Sequence, residues 1–182
     1  MNIFFLDWDE KKCAAYHCDK HVNKMIIEHL QMMSVALDHY EYPPAEKKDG
    51  SYYSTRAYKN HPCTKWVEES SANFMWLYMM TYHLCREFHK RYGKLHAGQM
   101  SLLSLNQPEN SIIVKVMEEN VYPHKGYTSP VQAMPSFCKT RYDPVQAYRN
   151  YYNLTKWKFA TWKTQKPDWW APGCYLEARG EY

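Results

Sequence analysis

Apolar residues recur at helical spacing along much of the chain. Cys18, Val22, Met25, Ile26, His29 and Met33 fall on one stripe when drawn at about 100° per residue. That spacing predicts a long helix over residues 10–39, capped by Asp7 or Asp9 and ending before "YEYPP". A second long helix starts at "NHPC", with Asn60 or His61 as its cap and Pro62 as its first residue. Phe74, Leu77, Thr81, Leu84, Phe88 and Tyr92 carry its apolar face to Gly93, where Lys90 and Arg91 suit the C-terminal dipole. A third runs from Asp143–Pro144 to about Lys163, with Val145, Tyr148, Tyr152, Phe159 and Trp162 on its buried side. Shorter helices are expected over 94–105 and 112–119.

The rest of the chain is punctuation around these helices. "NIFFL" (2–6) is a short strand or an extended arm, and 42–54 is a polar surface loop. Residues 106–142 are rich in Pro, Asn and Ser, and the tail "KPDWWAPGCYLEARGEY" packs back across the domain. No repeat or low-complexity segment interrupts the pattern. The expected architecture is mainly α: a compact single-domain helical bundle over 1–182, with three long helices, shorter helices and long loops.

Composition adds three constraints. Glycine is scarce, at 6 residues, and no Gly-rich phosphate loop occurs, so a dinucleotide or P-loop site is not expected and no cofactor is implied. The six cysteines contain no CxxC pair, no signal peptide opens the chain, and no apolar run is long enough to span a membrane. These features imply a cytoplasmic protein with reduced thiols. Aromatic residues reach 16%, with Tyr 17 and Trp 7, an excess that suits half-wet surfaces able to stack on bases.

Net charge is only +4, but from Lys139 to Lys166 seven Lys or Arg face a single acid, Asp143, with seven aromatics interleaved. Arg149, Lys156 and Lys163, seven apart, would line one side of the last helix, where cations take phosphates and rings take bases or sugars. A second positive cluster is "RAYKNHPC". Arg56, Lys59, Asn60 and His61 precede a helix N-terminus, whose unpaired N–H groups favour an anion such as phosphate.

Candidate chemistry concentrates in "HCDKHVNKMIIEH" (17–29). On a continuous helix His17, His21, Lys24 and Glu28 fall at i, i+4, i+7 and i+11 and share one narrow stripe. A metal would need a third ligand beside the two histidines, and Lys24 repels a cation, so no metal is expected. Acid–base work fits better. Glu28 would stabilise charge at a sugar or activate a water or amine, and His17 or His21 would move the proton. Lys24, Lys20 or the chain's own amino group could form a Schiff base with an opened sugar. A solvated helix face with a Lys24–Glu28 pair has the same spacing.

"HCDKHVNKM", "YKNHPCTKWVEESSANFMWLY" and "YRNYYNLTKWKFATW" together resemble a family of small uncharacterised tailed-phage proteins, which implies the host cytoplasm as the place of action. The chain also resembles the phage pyrimidine-dimer DNA glycosylases. Those are small, basic, helical proteins with an N-terminal amine nucleophile, a glutamate on the first helix and a cationic, aromatic DNA surface. The resemblance implies DNA as the partner and places Glu28 at that glutamate. Asn2 is not a small residue, so Met1 is expected to be retained. The expected function is a DNA-binding protein acting on a base or its glycosidic bond. A transferase modifying a phage pyrimidine and a non-enzymatic module binding DNA or a host protein are the alternatives.

Overall fold

The structure, a computed structural model, describes residues 1–118, 122 and 126–173. Among these, seven α-helices form: α1 (Glu10–Tyr16), α2 (Asp19–His39), α3 (Pro62–Glu69), α4 (Ser71–Tyr92), α5 (Gly98–Ser104), α6 (Ile112–Glu118) and α7 (Pro144–Tyr151). A 3-10 turn (Ser136–Cys138) precedes α7 and a π turn (Tyr152–Lys156) follows it. The expected mainly α class is what the chain adopts. The long pair α2 and α4 pack together, with α1 against α4 and α3 wedged against both.

Several helix boundaries follow from local chemistry, as the sequence predicts. Asp9 caps α1 by accepting from the Lys12 N–H at 2.7 Å, His61 Nδ1 accepts from the Cys63 N–H at 3.1 Å, and Asp143 accepts from the Gln146 N–H at 2.9 Å. Gly93 closes α4 at φ 66°, a left-handed value that suits glycine.

Three expectations need correction, each for a tertiary reason. The helix predicted over 10–39 breaks at His17 and Cys18, which are extended. Arg91 of α4, its side chain fully buried, donates to the carbonyls of Ala15 (2.9 Å) and His17 (2.8 Å) and to Asp19 Oδ1 (3.0 Å). A guanidinium thus takes the carbonyls that a continuous helix would have used. The second predicted helix divides at Ser70, whose hydroxyl caps α4 through the N–H groups of Ala72 and Asn73. The third stops at Tyr151 instead of Lys163. Past the π turn the chain is drawn away by Asp19, whose N–H donates to the Thr161 carbonyl at 2.8 Å and whose Oδ1 accepts from the Lys163 N–H at 3.1 Å. Two helices, not three, therefore exceed twenty residues.

The 42–54 loop is not wholly on the surface, since Ala45 and Tyr53 are buried and an isolated antiparallel bridge joins Glu46 to Tyr52. In the tail, Trp169 and Trp170 pack against the core, while residues 174–182, with Cys174, lie outside the described residues. Cys13, Cys18, Cys63, Cys85 and Cys138 are buried free thiols. No helix among the described residues is long and apolar enough to cross a membrane.

Candidate active site

The "NIFFL" segment is an extended arm threaded through the core, with Ile3, Phe5 and Leu6 fully buried. Asn2 anchors it. Its Nδ2 donates to the Ala133 carbonyl at 2.7 Å, and its Oδ1 accepts from the N–H groups of Ile3 (2.8 Å) and Phe4 (3.3 Å). Phe4 sits at φ 57°, unusual for a residue with a bulky side chain, and its ring stacks on His21 at 4.4 Å. Farther along, Arg149 donates to the Leu6 carbonyl (2.9 Å) and to Asp7 (3.1 Å), clasping the arm from α7.

Threaded in this way, the arm delivers the start of the chain to Glu28. Oε2 of Glu28 accepts from the Asn2 N–H at 3.0 Å and lies 3.7 Å from the Met1 amino group. Oε1 pairs with Lys24 Nζ at 3.2 Å. One carboxylate thus holds an amine on each side, and at 14% exposure its side chain is screened without being sealed from water. The Met1 side chain is buried, with its sulfur accepting from the Thr64 hydroxyl at 3.8 Å.

The "YKNHP" turn borders the same place. Gln31, one turn beyond Glu28 on α2, donates from its side chain to the Ser54 carbonyl. His61 lies in the field of both groups: burial and the amino terminus push its pKa below the usual 6.5, and Glu28 opposes them. Because Nδ1 of His61 accepts the capping N–H, the neutral ring carries its proton on Nε2. Arg56, Lys59 and Asn60 are exposed beside it. The acid, the two amines and the capping histidine are therefore neighbours around the junction of the arm, α2 and α3.

The histidines of the opening motif are placed differently. His17 ends α1 instead of riding on α2, so the four-residue stripe does not exist as one helix face. Its ring is fully buried and donates from Nδ1 to the Cys13 carbonyl at 2.7 Å; burial lowers its pKa to about 4. His21 shares a 2.6 Å hydrogen bond with the Tyr152 hydroxyl, and burial, then the charge of His17, keeps it neutral far below its usual range. Burial also pushes the Cys63 thiol up to about 11, so it carries no thiolate near neutrality. Among the described residues no three His, Cys, Asp or Glu side chains converge as metal ligands would.

The C-terminal cations also divide. Arg149 spends its guanidinium on the arm, as described. Lys156 lies over the Tyr151 ring at 4.0 Å, and Lys163 lies over Tyr92 at 5.6 Å, at the Asp19 end of α2. The hollows of about 450 Å³ (between Lys47–Asp49 and α5) and about 430 Å³ (beside α1 and the end of α4) are not lined by Glu28. Sequence reasoning missed the part played by Asn2 and Phe4. Their only signal is an unusually apolar start to the chain that ends abruptly in acids.

Residues 1–98 match the family described as pyrimidine dimer DNA glycosylase. No curated protein and no solved structure matches the chain.

Proposed function

The chain belongs to the pyrimidine dimer DNA glycosylase family, and on that premise we propose that it cleaves the glycosidic bond of a damaged pyrimidine in DNA through an amine held against Glu28. The single observation that carries this reading is the carboxylate between two amines, Met1 and Lys24, inside the matched segment. In this mechanism an amine in its neutral form attacks C1′ of the damaged nucleotide. The glycosidic bond breaks, and the base leaves C1′ with the bonding electrons and acquires a proton, while it stays joined to its neighbour through the bonds of the dimer. Opening of the sugar ring at O4′, which takes up the proton that Glu28 removed from the amine, then gives an imine between the amine and C1′. Glu28 takes the proton from the attacking amine and stabilises the positive charge that develops at the sugar.

α-Amino groups as a class are weaker bases than lysine side chains, so more of the former is neutral near pH 7. The Met1 amine is therefore the first choice of nucleophile, with Lys24 second. Arg56, Lys59, Asn60 and His61 take the flanking phosphates at the turn. His17 and His21 lie too deep to exchange protons with DNA, and their part is to hold the arm on which the amine depends.

The test is incubation with duplex DNA carrying a pyrimidine dimer, in the presence of borohydride, followed by mass mapping of the modified peptide. The expected result is a covalent adduct on the Met1 peptide. An adduct on Lys24 moves the nucleophile but keeps the reaction. Absence of both adduct and an abasic sugar at the dimer overturns the reading.

A further inference from the structure

A second feature lies outside the matched residues, where the chain leaves α7. The π turn Tyr152–Lys156 winds the backbone more loosely than an α-helix, a geometry that is rare and concentrated at functional positions. It is followed by a tight turn in which the N–H groups of Phe159 and Ala160 both donate to the Lys156 carbonyl, at 3.1 and 2.9 Å. The chain beyond is fastened to the first turn of α2. Thr161 accepts from the Asp19 N–H and donates its hydroxyl to Asp19 Oδ2 at 3.2 Å, while Trp162 Nε1 donates to the Tyr16 carbonyl at 3.0 Å. The turn is thus keyed to the helix that bears Glu28.

Although the turn is held from both sides, its two large apolar side chains keep part of their surface in water. Trp157 is 47% exposed and Phe159 36%. Phe159 packs edge-on against His21 at 5.5 Å but keeps its remaining surface, like that of Trp157, free of apolar cover. Cations surround them. Lys20 Nζ lies 4.8 Å from the Phe159 ring centre, Lys158 lies 5.8 Å from that of Trp157, and Lys156 stands at the base of the turn. No carboxylate comes within ion-pair distance of these three lysines among the described residues. Exposed rings beside unneutralised cations are complementary to a polyanion whose units carry flat faces, which is the chemistry of a nucleic acid.

We propose that the Trp157–Phe159 turn is a base-stacking contact, receiving an unpaired base of the DNA strand whose damaged nucleotide lies at Glu28. The inference rests on the glycosylase reading above and adds the contact that holds the strand open. Lys20, Lys24 and Glu28 follow one another at i, i+4 and i+8 on α2, so the turn lies about 12 Å along the helix from the carboxylate, a few nucleotides of strand. Lys20 takes an intervening phosphate, and the base beyond it stacks on Phe159 or Trp157.

The experiment compares wild-type protein with Trp157→Ala, Phe159→Ala and the double variant. Each is titrated against intact duplex and against a duplex with a 2-aminopurine placed unpaired at successive positions, over a range of salt. Wild-type protein quenches the probe at one register. The double variant, and the single variant that removes the stacking ring, are expected to lose that quenching and roughly ten-fold in affinity for the unpaired-base duplex, with an unchanged salt slope because no phosphate contact is removed. Trp157→Phe and Phe159→Tyr keep a ring and retain binding, and matching circular dichroism spectra certify the fold of all variants. A double variant that binds and quenches like wild type overturns the stacking role, and a turn that serves a protein partner gives this same result. The glycosylase reading is judged separately, by the adduct formed on Met1 or Lys24 with dimer-containing DNA.

Discussion

The two ends of "HCDKHVNKMIIEH" carry similar chemistry and meet different surroundings. At one end His17 and His21 are enclosed by Phe4, Tyr152 and the start of α2, and burial holds both neutral. At the other, Glu28 is screened but reachable, with an amine on each oxygen and His61 nearby. An ionisable side chain that cannot meet water or substrate is a packing element, whatever its intrinsic chemistry. The N-terminal arm connects the two ends: the histidine end grips Phe4, and that grip helps to fix where Asn2 and Met1 meet the carboxylate.

The largest expected effect is at the open end. Glu28→Gln keeps an oxygen to accept the Asn2 N–H but loses the charge. It should lower adduct formation and glycosidic cleavage by about 10²- to 10⁴-fold while leaving the unfolding midpoint nearly unchanged. Wild-type rates from this variant would erase the distinction between the two ends.

The closed end is probed by pH. His17 stays neutral in the folded chain down to about pH 4, whereas in the unfolded chain it protonates near 6.5. Between these values the unfolded state binds more protons, so stability is fully present above pH 6.5 and falls as pH drops toward 4. For His17 alone the loss approaches about 3 kcal/mol, and His21 and His29, also lowered by burial, add in the same direction. Denaturant unfolding at a series of pH values measures this. A stability that stays flat through that window means that the histidines are wet.

The smallest effect is at the border of the open end. Arg56→Ala and Lys59→Ala, both at exposed positions, should each weaken DNA binding several-fold and reduce the salt slope by about 0.9, without altering stability. An unchanged slope in both would take the turn out of the DNA interface and leave Glu28 without a phosphate clamp on that side.

Local chemistry determined much of what the chain does. The caps at Asp9, His61 and Asp143, the left-handed stop at Gly93, the mainly helical class and the Lys24–Glu28 pair follow from residues within a few positions of one another, and short-range rules suffice for them. Tertiary structure decided the rest. Arg91, more than seventy residues from Ala15 and His17, breaks the first long helix, and Asp19 draws the chain after the π turn out of the third. Asn2 and Met1 reach Glu28 only because the arm threads the core. Each of these depends on a polar group being satisfied by a partner remote in sequence, and helical periodicity carries no record of such partners.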